Sequence, residues 1–115
     1  MYKVSKRLEI AGSHHLSLNY KSKCENLHGH NWIVRIYVES ETLDENGMVL
    51  DFTRIKKEIH DFLDHKNLNE LFDFNPTAEN IAYWIAHKVS DIREGASCYK
   101  VSVQESEGNI AAWER

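Results

Sequence analysis

The chain has 115 residues, of which 42% are hydrophobic, and a formal net charge of −4. This length predicts a single domain, residues 1–115, with enough apolar residues for a core. The negative charge excludes a basic surface that would attract nucleic acid or anionic lipid. No apolar run approaches the roughly 20 residues of a membrane span, and residues 1–10 lack the apolar segment of a signal peptide. A cytoplasmic protein is therefore expected, with Cys24 and Cys98 present as thiols.

Alternating apolar and polar residues predict two strands in the first part of the chain. Residues 2–10 alternate, whereas residues 12–27 are mostly polar and predict a long loop, which in a compact domain is often functional. Residues 30–39 again place an apolar side chain at every second position. The turn sequence at 45–47 then precedes a short apolar piece at 48–50, so we expect the second strand to form a hairpin with that piece.

Helical periodicity follows, and the alternation of strands returns at the end of the chain. Apolar residues at helical spacing predict one helix over 51–63 and a second that begins at 75–79 and ends around 91–95. Residues 99–104 and 110–113 predict two further strands. Strands grouped at the two ends argue for an α+β fold, a four-stranded antiparallel sheet with two helices on one face. The uncovered face and edges of that sheet favour an oligomer.

Histidines near the predicted strand ends suggest a metal centre. His28 and His30 are two residues apart at the start of a strand, so their side chains leave the same face and can converge on one ion. His14 shares the parity of the first apolar row and could join them from the neighbouring strand, with His15 as the competing candidate. Three imidazoles without a fourth protein ligand are typical of a catalytic zinc that keeps one position open.

Two other positions carry reactive groups. Cys24 lies four residues before His28 in the polar loop. It is either an incidental surface thiol or a thiolate activated by a nearby dication. The pair Asp64 and His65 ends the first predicted helix, where it is either an acid/base pair or a helix end that satisfies its charges. Cys98 begins an apolar strand and is expected in the core.

Glu105 shares the parity of Val103, so it is predicted on the apolar side of its strand. A carboxylate there needs a partner, and a ligand with a row of N–H donors would satisfy it. His60 and His87 fall on the predicted helices and are expected to be surface or packing residues.

Six segments in this order resemble the 6-pyruvoyltetrahydropterin synthase / 6-carboxytetrahydropterin synthase family. The resemblance spans almost the whole chain and implies a T-fold. Its subunits assemble, usually as hexamers of two trimers, into a barrel with active sites between subunits. The segments are residues 10–16 (IAGSHHL), 24–31 (CENLHGHN), 47–52 (GMVLDF), 64–69 (DHKNLN), 75–80 (NPTAEN) and 101–106 (VSVQES).

The resemblance also implies a reaction and a role for each candidate residue. The substrate would be the small molecule 7,8-dihydroneopterin triphosphate, converted to 6-carboxy-5,6,7,8-tetrahydropterin for queuosine synthesis with release of acetaldehyde and triphosphate. The pyruvoyl-forming synthase is an alternative, and a non-catalytic zinc or pterin-binding module is an alternative of another class. The implied roles are zinc ligation by His14, His28 and His30, base catalysis by Cys24, proton transfer by Asp64 and His65, and pterin binding by Glu105 and Thr77.

Glu25, directly after Cys24, raises a further alternative. A subgroup that resembles this Cys-Glu-X-X-His-Gly-His pattern is associated with release of 6-hydroxymethyl-7,8-dihydropterin for folate synthesis, with the glutamate as base. Glu25 is otherwise a solvated loop carboxylate. Cations for the triphosphate are sought among Lys21, Lys23 and Arg7.

Overall fold

A five-stranded sheet forms one layer of the fold. The computed structural model describes all 115 residues and orders the strands β3-β1-β2-β4-β5. All neighbours are antiparallel except β3, which runs parallel to β1. The strands are β1 (Tyr2–His14), β2 (His28–Ser40), β3 (Lys66–Asn67), β4 (Ser97–Ser106) and β5 (Asn109–Glu114).

The central pair, β1 and β2, joins thirteen residues on each strand, from the Tyr2–Ser40 pair to the His14–His28 pair. The second predicted strand is confirmed, but β1 continues to His14 instead of ending near residue 10. The extension passes close to Trp32, whose indole donates to the Gly12 carbonyl at 3.1 Å. A Cβ at residue 12 would lie 3.3 Å from the same indole nitrogen. The predicted loop therefore starts after His14.

Two predictions for the sheet were wrong. Residues 48–50 form no strand and no hairpin with β2: Val49 and Leu50 are buried in the core, and the Val49 carbonyl accepts from Arg93 at 3.0 Å. The Arg93 side chain, and not a neighbouring strand, thus holds the loop at residues 48–50. The sheet also has five strands and not four, because β3 pairs with Gly12 and Ser13. Two residues are too few for alternation to reveal a strand.

Two helices cover one face of the sheet, which confirms the α+β prediction. The helical segment 52–63 (α1) contains a wide π-turn at Lys56–His60, and α3 spans Ala78–Ser90. A short helix, α2 (Leu68–Leu71), lies between them. None of the helices has the length and apolar composition needed to cross a membrane. The helices and strands share one cluster of 23 buried residues, so a single core joins the two layers.

The other face of the sheet has no helix on it. Arg7 and Arg35, which pair across β1 and β2 on this face, are both exposed. The edge of β1 is paired with β3 only at Gly12 and Ser13, and β5 is the opposite edge strand. One face and most of both edges are therefore available for contact with other molecules.

The core predicts a large effect of a cavity in α3. Ile85 is 0% exposed, whereas Tyr83 on the same helix is 54% exposed. We expect Ile85→Ala to lower the free energy of unfolding by about 2–5 kcal/mol, and Tyr83→Ala to change it by less than about 1 kcal/mol. Urea denaturation followed by circular dichroism measures both values. Equal losses in the two variants would contradict this packing.

Candidate metal centre and acid–base pair

Three histidines meet at the end of the β1–β2 ladder. His14 pairs with His28, and His30 lies opposite Gly12. The three imidazole rings consequently sit 4.6, 5.1 and 4.8 Å apart, centre to centre. Trp32 packs against the rings of His14 and His30 at 4.8 and 5.3 Å. The strand register thus brings His14, and not the competing His15, to the predicted pair.

Backbone carbonyls orient two of these rings. The Nδ1 of His14 lies 2.8 Å from the Pro76 carbonyl oxygen, and the Nδ1 of His28 lies 2.6 Å from that of Asn26. A carbonyl only accepts hydrogen bonds, so each Nδ1 carries the proton and each Nε2 keeps its lone pair. The Nε2 atoms of His14 and His30 are buried and have no hydrogen-bond partner. The buried lone pair on the Nε2 of His14, which has no donor, is what a metal ion would satisfy.

Glu105 completes the cluster. Its carboxylate and the three imidazoles place ligand atoms within 4.8 Å of one another. Its Oε1 is 3.2 Å from the Nε2 of His30, and its Oε2 is 3.9 Å from the Nε2 of His14. Three imidazoles and a carboxylate suit Zn²⁺, so the donor set fits the predicted metal. The sequence parity of Glu105 placed it on the correct face but gave no sign that it would reach the histidines.

Burial keeps the histidines ready to bind a cation. It lowers the pKa of His14 below its usual 6.5, against the opposing effects of the Pro76 carbonyl and of Glu105. Burial likewise lowers the pKa of His30, and Glu105 again opposes the shift. Both rings therefore favour the neutral form, which is the form that ligates metals.

Two asparagine side chains hold the chain that follows His14. Asn69 accepts from the His15 amide at 2.8 Å and donates to the His15 carbonyl at 3.0 Å. Asn75 makes the same pair of hydrogen bonds with Ser17, at 2.9 and 3.1 Å. Each amide group thus acts like a strand partner for one residue. The end of β1 is fixed against the segment whose next residue, Pro76, orients His14.

Cys24 lies in a short 3₁₀ turn, Lys23–Glu25. The Cys24 amide donates to the Ser22 hydroxyl at 3.2 Å, and the Cys24 carbonyl accepts from the Leu16 amide at 2.8 Å. These contacts tie the turn to the chain just beyond His14. Cys24 is half-buried and Glu25 is exposed, and neither side chain is among the four that converge on the metal position.

Asp64 and His65 dock onto β1 as a unit. Asp64 Oδ1 accepts from the Ala11 amide at 2.9 Å, and the His65 amide donates to the Ala11 carbonyl at 2.6 Å. Asp64 Oδ2 accepts from the Nδ1 of His65 at 2.8 Å. The Nε2 of His65 stays open to other partners, because the side chain is 82% exposed. These hydrogen bonds lower the pKa of Asp64 below its usual range, the one from the Ala11 amide most and the one from His65 less.

The backbone of His65 is strained. Its φ of 57° is the single positive value outside glycine, and the left-handed region is uncommon for residues other than glycine. Strain of this kind persists where surrounding contacts fix the conformation, and it is common at functional sites. The geometry is that of an acid–base pair in which Asp64 fixes the Nδ1 of His65 and the Nε2 stays free to exchange a proton.

A second imidazole faces the same carboxylate. His60, the last residue of the π-turn, has its Nε2 3.7 Å from Asp64 Oδ2 and its Nδ1 3.1 Å from Asp61 Oδ1. The expectation of a surface or packing residue therefore missed its contact with the acid–base pair. The spacing of four residues from Asp64 was the signal, since such residues are neighbours on a helix.

One cleft connects the acid–base pair with the histidine cluster. His65 and Lys66 line this cleft of about 480 Å³ together with His30, Ser13 and Asn31. Within one chain, a residue of each group therefore borders the same space.

Glu105 borders a second cavity, near the start of α3. Thr77 caps α3, its hydroxyl accepting from the Asn80 amide at 3.1 Å. The next two residues, Ala78 and Glu79, line a cavity of about 300 Å³ with Glu105. Thr77 precedes this lining, and its role in pterin binding stays a prediction.

Residues 3–115 match a family model described as 6-pyruvoyl tetrahydropterin synthase. The chain belongs to this family. A 6-carboxy-5,6,7,8-tetrahydropterin synthase of Synechocystis is 35% identical over 100 residues, which cover 79% of this chain and 77% of that one. A dihydroneopterin monophosphate aldolase of Pyrococcus furiosus is 44% identical over 68 residues, 56% of this chain, and the aligned stretch spans only 57% of that relative.

Solved structures of the family share the fold. The structure of Caenorhabditis elegans 6-pyruvoyl tetrahydropterin synthase superposes with a TM-score of 0.76 at 26% identity, covering 99% of this chain and 95% of that one. The resemblance stated from the sequence motifs is thereby confirmed, as is the T-fold family for the single chain. The family's members act on pterins.

The cations predicted for a triphosphate are dispersed. Lys21 and Lys23 are exposed in the loop before β2, and Arg7 pairs with Glu9 at 3.3 Å. Lys66, which directly follows the acid–base pair, lines the larger cleft and was not among the predicted cations. Its position in the two-residue strand β3 explains why periodicity gave no sign of it.

The histidine cluster predicts one tight zinc site per chain. We expect His14→Ala and His28→Ala each to weaken zinc binding by at least about 100-fold, more than the 10–100-fold typical of losing an outer partner. His87→Ala is the control, because that ring lies on α3 and contacts the Tyr83 carbonyl. Competition with a chromophoric chelator measures the affinities. Unchanged binding by the first two variants would reject the site.

The hydrogen bonds of Asp64 predict a dependence of stability on pH. Because its pKa is lowered in the folded protein, its stabilising effect is complete above the usual value of 3.8 and is lost as the pH falls below it. We expect the free energy of unfolding to fall less between about pH 6 and about pH 3 in Asp64→Asn than in wild type. Exposed Asp73→Asn serves as control. Identical pH profiles for wild type and Asp64→Asn would contradict the geometry.

Proposed function

We propose that this protein is a zinc-dependent lyase that converts 7,8-dihydroneopterin triphosphate to 6-carboxy-5,6,7,8-tetrahydropterin, with release of acetaldehyde and triphosphate, in the synthesis of queuosine precursors. The observation that carries the proposal is the 35% identity to the Synechocystis 6-carboxytetrahydropterin synthase over more than three quarters of both chains. The cluster of His14, His28 and His30 supports it, because it offers the metal a site on a rigid strand pair.

Each candidate residue has a role that its surroundings support. A zinc ion held by the three histidines would supply Lewis-acid chemistry that favours loss of protons from side-chain hydroxyls of the substrate. Cys24 accepts a proton as the base, from a turn tied to the end of β1. His65 exchanges protons through its open Nε2 while Asp64 fixes its Nδ1.

Pterin binding is assigned to Glu105 and Thr77. The pterin presents an exocyclic amino group and ring N–H groups in one plane, which a carboxylate accepts bidentately. Glu105 borders the cavity next to the N-terminus of α3, and Thr77 lies at that terminus. The carboxylate and the hydroxyl would together fix the ring, so that the substrate side chain extends toward the histidines.

The family resemblance implies active sites that lie between subunits of an oligomer. The cleft lined by His30 and His65 would then lie at such a boundary. The uncovered sheet face and the open edges of β1 and β5 offer surfaces for that assembly. We therefore propose a cytoplasmic homo-oligomer, a barrel-shaped hexamer of two trimers, each subunit a single domain over residues 1–115.

A second candidate is an aldolase that forms 6-hydroxymethyl-7,8-dihydropterin for folate synthesis. It is favoured by the 44% identity to the Pyrococcus furiosus dihydroneopterin monophosphate aldolase over 68 residues, and by Glu25 next to Cys24. In that case Glu25 is the base. A 6-pyruvoyl-forming synthase is a third product class, supported by the name of the Caenorhabditis elegans structure. A non-catalytic zinc or pterin-binding module is the alternative outside catalysis.

Product analysis separates these candidates. We expect zinc-loaded protein to release acetaldehyde and 6-carboxytetrahydropterin from dihydroneopterin triphosphate. Cys24→Ala should lower turnover by about 10²–10⁴-fold, the usual contribution of an acid/base group, with zinc retained. Glu25→Ala should stay close to wild type, like the control Glu45→Ala.

Other outcomes assign other functions. Hydroxymethyl-dihydropterin as product, formed from the triphosphate or the monophosphate and lost in Glu25→Ala, would identify the aldolase. A pyruvoyl product would identify the synthase. No turnover of either substrate, with Cys24→Ala indistinguishable from wild type, would leave the binding module.

A further inference from the structure

Glu105 sits at an irregularity in the sheet. On one side of it Gln104 pairs with Ile110, and on the other Ser106 pairs with Asn109, so the register between β4 and β5 shifts at Glu105 itself. Glu105 therefore has no partner residue on β5. A bulge of this kind re-aims a side chain, and bulges are frequent beside active sites. Here the re-aimed side chain reaches the histidine cluster.

The positions of Glu105 and the histidines suit a cation between them. The Nε2 of His14 is a lone-pair acceptor, because its Nδ1 donates to Pro76. A carboxylate oxygen 3.9 Å away is also an acceptor, so the two repel unless a positive charge lies between them. In a tetrahedral zinc site with bonds of about 2.0–2.1 Å, ligand atoms lie about 3.3 Å apart. Glu105 Oε1 and the Nε2 of His30 are separated by 3.2 Å.

The opposite side of Glu105 is open. Its side chain is 28% exposed, whereas His14 is fully buried. It also lines the cavity of about 300 Å³ at the start of α3, with Ala78, Glu79 and Asn109 among its neighbours there. The Glu105 carboxylate therefore has two possible partners. It could bind a metal on one side, or a ligand in the cavity on the other.

We propose that Glu105 is a carboxylate switch. In the ligand-free protein it fills the fourth position of the metal held by His14, His28 and His30. When a planar ligand with adjacent N–H donors enters the cavity, the carboxylate turns to accept from those donors and the fourth position opens. The identity of that ligand as a pterin rests on the proposed function, whereas the metal-bound state of Glu105 does not.

Metal binding tests the first state. Co²⁺ is the probe, because its visible absorption reports the number and type of ligands. We expect Glu105→Gln to weaken Co²⁺ and Zn²⁺ binding by roughly tenfold or more and to alter the Co²⁺ spectrum. Glu79→Gln is the matched control, since Glu79 lines the same cavity outside the metal cluster. Equal affinity of wild type and Glu105→Gln overturns the proposal.

Pterin without a side chain tests the second state, because it keeps the ring N–H donors and carries no hydroxyl that could bind the metal. Titrated into Co²⁺-loaded wild type, it should shift the spectrum toward that of Co²⁺-loaded Glu105→Gln, with no shift in that variant. No shift in wild type at saturating pterin overturns the switch. This arm needs only wild type for its main result. If Glu105→Gln does not fold, Glu105→Asp takes its place, because the shorter side chain should also weaken metal binding.

Turnover is scored separately from both arms. A protein that shows both spectral changes but converts no dihydroneopterin triphosphate would refute the proposed function and leave the switch standing. Turnover together with a metal affinity that is insensitive to Glu105→Gln would refute the switch and leave the function standing.

Discussion

Thirteen consecutive residue pairs join β1 to β2, and their register decides which side chains meet at the end of the ladder. Side chains alternate along a strand, so a shift of one residue would send the whole apolar row of β1 to the other face. Leu8 and Ile10, both buried, hold the register from within the core. The same register sets His14 opposite His28. The candidate metal centre is therefore fixed by apolar packing several residues away from it.

The segment before α3, residues 75–77, makes three kinds of structural contact. Asn75 holds Ser17 with both ends of its side-chain amide, and its carbonyl accepts from the Thr77 amide at 2.8 Å and from the Asn80 side chain at 2.9 Å. Between them, the Pro76 carbonyl orients His14. One short turn thus caps a helix, anchors a loop and sets the direction of a metal ligand, which links the core to the site.

The sequence alone predicted the features that depend on periodicity and local chemistry. The apolar alternation of 30–39, the helical stripes and the parity of the histidines follow from side chains that alternate or repeat along one element. What it missed depends on contacts between distant segments. β3 exists because two residues meet Gly12, residues 48–50 are held by Arg93, and Glu105 reaches His30 through a bulge. Contacts between segments that are distant in sequence cannot be predicted from a local pattern of residues.

No sulfur atom is among those that converge on the metal position, and this limits which metal ions the site would prefer. The donors are three imidazole nitrogens and a carboxylate oxygen. Thiolate or thioether ligands select monovalent copper, so this set disfavours that ion. Nitrogen and oxygen donors instead follow the general affinity order of divalent ions, in which Cu²⁺ exceeds Zn²⁺. The donor set by itself does not reject copper, so the ions available to the protein would decide which one the site binds.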